Sequence, residues 1–146
     1  MSDRPGALRV ERVLPATPDA VFRSWTTPAL MAGWLSPTGR AEVTADVRVG
    51  GRFSVVMLGD ETHIDHEGEY LELEPPRRLV FTWSSAYTGD GPSVVTVQLE
   101  PVDAGTRIVL THEQLPAEHA AAHESGWGAI LDRLSESLRS NSAVLR

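Results

Sequence analysis

The sequence predicts an α+β domain. An antiparallel β-sheet of six to seven strands packs on one long C-terminal α-helix, with two short helices between the first and second strands. Period-2 apolar alternation dominates from Arg40 to Glu113, broken by Gly, Pro and Asp at turn positions. Beyond it, Trp127, Ile130, Leu131, Leu134 and Leu138 recur at helical spacing and form a narrow apolar stripe. At 146 residues the chain has the length of one domain, spanning 1–146, with residues 1–7 expected to be a flexible tail.

The elements follow in order. Leu8 to Leu14 alternates as a first strand and stops at Pro15-Ala16. Thr17-Pro18-Asp19 is a helix start, with Thr17 as N-cap, proline at the first helical position and an acid in the first turn. Val21, Phe22 and Trp25 share one face of that helix. Thr27-Pro28 ends it and opens a second short helix with Leu30, Met31 and Trp34 as its apolar face, and Ser36-Pro37-Thr38-Gly39 is a loop.

Val43, Ala45, Val47 and Val49 then alternate up to a turn at Gly50-Gly51, and Phe53, Val55 and Met57 up to a turn at Gly59-Asp60. His63 to Glu74 is a longer strand closed by Pro75-Pro76. Leu79, Phe81 and Trp83 form the next, ending in a loop tip at Gly89-Asp90-Gly91-Pro92. Val95, Val97 and Leu99 lead to a hairpin turn at Asp103-Ala104-Gly105, and Ile108, Leu110 and His112 come back. Short turns between successive strands predict a meander. The last helix begins near Pro116-Ala117-Glu118. Its stripe extends backwards to His123 and Ala120, and Asp132, Arg133 and Glu136 fall on its solvated side.

Composition narrows the function. The net charge of −7 disfavours a nucleic-acid backbone or an anionic membrane as partner. No apolar run reaches the roughly 18 residues of a membrane span. The chain has no cysteine, which excludes disulfides, thiol catalysis and thiolate-bound zinc. All 13 cationic side chains are arginines, which excludes a Schiff-base lysine. The N-terminus lacks the apolar stretch of a secretory signal, so the expected location is the cytoplasm.

Particular residues sharpen the reading. They are Thr17-Pro18-Asp19-Ala20-Val21-Phe22 with Trp25 and Trp34, Val49-Gly50-Gly51-Arg52-Phe53, the run from Gly68 to Trp83, Thr111-His112-Glu113, and His123-Glu124-Ser125-Gly126-Trp127 through Leu134. With this order of elements the chain resembles the START-like, pollen-allergen-like helix-grip superfamily called SRPBCC. Within it, the chain is most similar to the branch named for the activator of heat-shock-protein ATPase. The resemblance covers Leu8 to Leu138. It implies a curved sheet gripping the last helix, and an apolar cavity between them. Superfamily members bind lipids, polyketides or aromatic molecules, and some are cyclases or hydrolases.

The expected lining of such a cavity is Trp34, Phe53, Val55, Met57, Phe81, Trp83, Val97, Leu110, Trp127, Ile130 and Leu134. His112, on the inward face of its strand, and His123, one helical turn before Trp127, are the expected polar contacts. Gly126 and Gly128 flank Trp127 inside the helix, where each costs about 1 kcal/mol relative to alanine. They point either to a bend or to close approach of helix and sheet.

Other chemistry has less support. His63 and His66 are three apart in a strand and face opposite sides. His119 and His123 share a helix face but lack the glutamate of the zinc-protease motif and a third ligand, so no metal and no cofactor are expected. There is no Gly-x-Ser-x-Gly elbow. Glu69 or Glu72 with Glu113 would be a carboxylate pair, but glutamates on a half-exposed strand usually belong to a solvated face. Gly50-Gly51 and Gly89-Asp90-Gly91 lead into strands rather than helices, so neither is a phosphate cradle.

The expectation is a binding protein for a small, mainly apolar or aromatic molecule, monomeric or weakly dimeric, with no nucleic-acid or membrane partner. The alternatives are an enzyme of the same fold using His112 and His123 as acid-base groups, and a stress- or chaperone-related interaction module.

Overall fold

The computed structural model describes residues 7–89 and 93–144, with side chains through residue 140. The expected flexible tail and the expected loop tip after Gly89 therefore fall almost wholly outside the described residues. Seven strands, β1 (Leu8–Leu14), β2 (Ala41–Ala45), β3 (Arg52–Leu58), β4 (His63–Glu74), β5 (Arg78–Trp83), β6 (Ser93–Val102) and β7 (Gly105–Glu113), form one antiparallel sheet. Its order is β1-β7-β6-β5-β4-β3-β2, so β2 to β7 are a meander and β1 closes its far edge. Two short helices, α1 (Pro18–Thr26) and α2 (Pro28–Met31), connect β1 to β2, and α3 (Ala117–Val144) follows β7. This is the α+β helix-grip arrangement. Among the described residues, no helix is long and apolar enough to cross a membrane.

Local chemistry sets the boundaries. Thr17 Oγ1 accepts the Ala20 N–H at 3.3 Å, satisfying one of the free donors of the first turn of α1. The same helix buries Val21, Phe22 and Trp25. In β1 the inward position occupied by Arg12 faces α3, and its guanidinium donates to Asp132 at 3.1 Å. Asp132, expected to be simply solvated, thus ties the outer side of α3 to β1, the strand to which α3 comes closest.

One strand is shorter than expected. The alternation through Val49 suggests continuation, but β2 ends at Ala45 and Val49 is 60% exposed. Turn hydrogen bonds take the backbone instead. Arg48 N–H donates to the Asp46 carbonyl, and Gly51 N–H to the Arg48 carbonyl. Gly50 adopts φ +84°, which side-chain-bearing residues rarely hold. The turn is then strapped to β4, with Gly50 N–H on the Tyr70 carbonyl at 2.8 Å and Tyr70 N–H on the Gly51 carbonyl at 3.0 Å.

The long strand β4 bends where it passes from its β3 partner to its β5 partner, with a bulge between Tyr70 and Glu72. Gly68 sits at that bend. A Cβ there would lie 2.0 Å from the Thr82 carbonyl oxygen and 2.3 Å from the Phe53 ring, so only glycine lets the Phe53 ring lie on the strand.

The core lies between the concave sheet face and the helices. The stripe Trp127, Ile130, Leu131, Leu134 and Leu138 of α3 is buried as its spacing predicts. Opposite it stand Val95 and Val97 of β6 and Ile108 and Leu110 of β7, with Trp25 and Trp34 from the helical connection.

Candidate functional site

Space remains between the sheet and the inward face of the last helix at one end of the sheet. A pocket of about 260 Å³ lies between the N-terminal half of α3 and the β3–β4 end of the sheet. From the sheet come Met57, Ile64, His66 and Trp83, and from loops Pro37, Ser85 and Tyr87. From α3 come His119, Ala122, His123, Gly126, Trp127 and Ile130, spaced as one helix face.

The cause is side-chain size. Ala122 and Gly126 stand where the other half of the stripe has leucines. A Cβ placed on Gly126 would meet nothing within 4 Å. Gly126 therefore leaves room rather than letting a strand approach. Close approach belongs to Gly128, whose Cβ would sit 3.1 Å from the Arg12 guanidinium of β1.

The floor is aromatic. The His66 ring lies 4.5 Å from Trp83 at 30°, and Trp83 lies 5.2 Å from Trp127. At the rim, Tyr87 meets His119 edge-on at 5.9 Å, joining the loop after β5 to α3. That loop is fixed by its own hydrogen bonds. Ser85 N–H donates to Thr88 Oγ1, and Tyr87 N–H to Ser85 Oγ, each at 3.0 Å.

Of the residues expected to line a cavity, Met57, Trp83, His123, Trp127 and Ile130 come together on this pocket. Trp34, Phe53, Val55, Phe81, Val97, Leu110 and Leu134 lie in the packed core instead. Five large aromatic side chains, Trp25, Trp34, Phe53, Phe81 and Trp83, pack ring to ring there, in a chain of contacts with centroids 4.7–6.1 Å apart, and close the inner gap. What remains among Trp25, Phe53, Tyr70, Phe81 and neighbouring side chains is a void of about 10 Å³, the size of a single water site. The Tyr70 hydroxyl and the Trp25 and Trp34 indole N–H groups are buried without a protein partner. Burial pushes the Tyr70 hydroxyl up to about 12.

His112 lies behind the pocket. The Trp127 indole, which can only donate, gives its N–H to His112 Nδ1 at 3.0 Å. The ring's proton is therefore on Nε2, which donates to Ser93 Oγ at 2.6 Å, and Ser93 Oγ–H donates onward to the Trp83 carbonyl at 2.5 Å. Both ring nitrogens are committed, and burial lowers His112 to about 3. It is a brace between β6, β7 and α3, with no free nitrogen for acid-base work.

His66 is a site residue that reading the sequence for metal pairs passed over. Its alternation with Ile64 puts both on the inner face, and it is buried while His63 is exposed. Its Nδ1–H donates to the Val55 carbonyl at 3.3 Å, and desolvation lowers it to about 4. His119, Ala122 and Gly126 carried a signal too, since they continue the stripe of Trp127 and Ile130 backwards at steps of three and four. The placement of Tyr87 depends on a loop and had no periodic signal. Among the described residues, no group of three or more His, Asp or Glu side chains converges as a metal site would require.

Comparison with known proteins places this geometry in a family. The model of the Activator of Hsp90 ATPase homolog 1-like protein family matches residues 15–139. Among solved structures, protein NE0264 of Nitrosomonas europaea is similar with a TM-score of 0.82 and 26% identity, over 97% of this chain and 99% of that one. Protein CV1439 of Chromobacterium violaceum has a TM-score of 0.77 and 28% identity, over 90% and 96%. The protein SPO3351 of Silicibacter pomeroyi has a TM-score of 0.78 and 27% identity, over 92% and 99%. No curated protein sequence matches the chain.

Proposed function

The chain belongs to the Activator of Hsp90 ATPase homolog 1-like family, and from that premise we propose that it binds a small, mainly apolar or aromatic molecule in the pocket between the β3–β4 end of the sheet and the N-terminal half of α3. The observation that carries the reading is the contrast in the lining. Among the described residues its walls are Met57, Ile64, Trp83, Trp127 and Ile130, with a few imidazole and hydroxyl groups and no carboxylate or guanidinium. A rigid aromatic floor backed by a packed core is preorganised, so a ligand loses little affinity to side-chain ordering. Acid-base catalysis through His112 finds no support, because that ring is braced on both sides.

The test joins two measurements. Native mass spectrometry of freshly purified protein looks for a retained small molecule. A panel of apolar ligands is then titrated against tryptophan emission, since Trp83 and Trp127 both line the pocket. Saturable quenching is expected. It should be weakened or abolished in Gly126→Leu, which puts a bulky side chain on the pocket wall at a position where a Cβ meets no neighbour. Absence of quenching by every ligand in the panel, or quenching unaffected by Gly126→Leu, overturns the reading.

A further inference from the structure

Hydrogen-bond chemistry at two imidazoles narrows the class of ligand, and this step rests on the binding reading above. A carbonyl oxygen only accepts, so a ring nitrogen facing one carries the proton. His66 Nδ1 faces the Val55 carbonyl at 3.3 Å, and His123 Nδ1 faces the His119 carbonyl at 2.9 Å. A neutral ring held this way has its remaining nitrogen, Nε2, as a bare lone pair. No donor among the described residues reaches either Nε2, and neither atom is sealed in the interior. Both rings line the pocket.

The contrast with His112 is instructive. There Trp127 and Ser93 consume both nitrogens, whereas in the pocket one acceptor per ring is left over. Among the described residues no Asp or Glu lines the pocket, and burial keeps His66 neutral at pH 7. Nor does any arginine among the described residues line the pocket to pair with a carboxylate or phosphate. The Ser85 and Tyr87 hydroxyls and the His119 ring, which no hydrogen bond fixes in one tautomer, can each donate or accept, so they do not discriminate.

We propose that the pocket selects apolar or aromatic molecules that carry a hydrogen-bond donor, a phenolic or enolic hydroxyl, and that the donor is received by Nε2 of His66 or His123. A ligand offering only acceptors sets lone pair against lone pair. An anionic ligand does so with a desolvated charge added.

The experiment is isothermal titration of the full chain at about pH 8, above the ordinary histidine range. The probes are β-naphthol, its methyl ether and β-naphthoate, which share one aromatic body. The naphthol is expected to bind at least about tenfold more tightly than the ether, and the naphthoate more weakly than either. In at least one of His123→Leu and His66→Leu the preference of naphthol over ether should shrink while ether binding is kept or improved, and a preference unchanged in both overturns the assignment. His66 is buried, so a failure of His66→Leu to fold leaves the wild-type comparison and His123→Leu to decide. Equal binding of naphthol and ether, or tighter naphthoate, overturns the donor selection while leaving the pocket a binding site. No binding of any of the three overturns both.

Discussion

The two halves of α3 lie over one sheet and share one apolar stripe, yet they do different things. The C-terminal half puts Leu131, Leu134 and Leu138 into the core. The N-terminal half offers His119, Ala122, His123 and Gly126 to the same side and leaves a pocket of about 260 Å³. Trp127 stands at the junction, with its indole N–H braced by His112 on the core side and its ring on the pocket wall. The phase of an amphipathic helix therefore decides which face turns inward. The sizes of the side chains on that face decide whether the space behind it is filled. The imidazoles repeat the lesson, since both nitrogens of His112 in the core are engaged, while His66 and His123 in the pocket engage only Nδ1.

The comparison breaks most readily at the closed half. Leu134→Ala removes a fully buried side chain and should cost about 2–5 kcal/mol in chemical denaturation, a range set by how far the surroundings relax. Arg133→Ala, on the exposed side one residue earlier, should change stability by about 0.5 kcal/mol or less. Equal costs would mean that the C-terminal half is not the packed one.

Acid sharpens it. Burial holds His66 to about 4 and His112 to about 3, whereas an unfolded imidazole titrates near about 6.5. Between those values the unfolded chain takes up protons that the folded chain refuses. The stabilising effect is therefore fully present above about pH 6.5 and is lost as pH falls toward the folded values. The free energy of unfolding from urea titrations should drop between about pH 6.5 and about pH 4.5, by an amount on the order of a few kcal/mol in total, before ordinary carboxylates titrate. A flat profile across that window contradicts buried neutral imidazoles at both sites.

The smallest effect probes the open half. Gly126→Ala adds a methyl group where a Cβ has no neighbour, and should raise stability by about 0.5–1 kcal/mol through helix propensity alone. Gly128→Ala should gain less, because the Arg12 guanidinium must give way. Thermal unfolding of the two variants side by side checks the order.

Much of this fold was legible because its signals are local. Thr17-Pro18-Asp19 announces a capped helix, and the cap forms. The stripe from Trp127 to Leu138 is read directly from spacing. Where period-2 alternation ran on into a turn, at Val47 and Val49, the pattern misled, because backbone hydrogen bonds around Gly50 decide that strand end. The site was less legible for a different reason. Empty space is the sum of volumes contributed by distant segments. Phe53, Phe81 and Trp34 have the composition of a cavity wall, but their number and mutual packing fill the interior. His66 was hidden because its partner, the Val55 carbonyl, is a backbone atom eleven residues away across a hairpin.

The most direct test of the two-halves account is a heteronuclear NMR titration of the labelled chain with β-naphthol. The account predicts saturable shift changes at the Trp83 and Trp127 indoles and the His66 and His123 imidazoles, with the methyl groups of Leu134 and Leu138 unmoved. Changes centred on Leu134 and Leu138, or none anywhere at ligand excess, would contradict it.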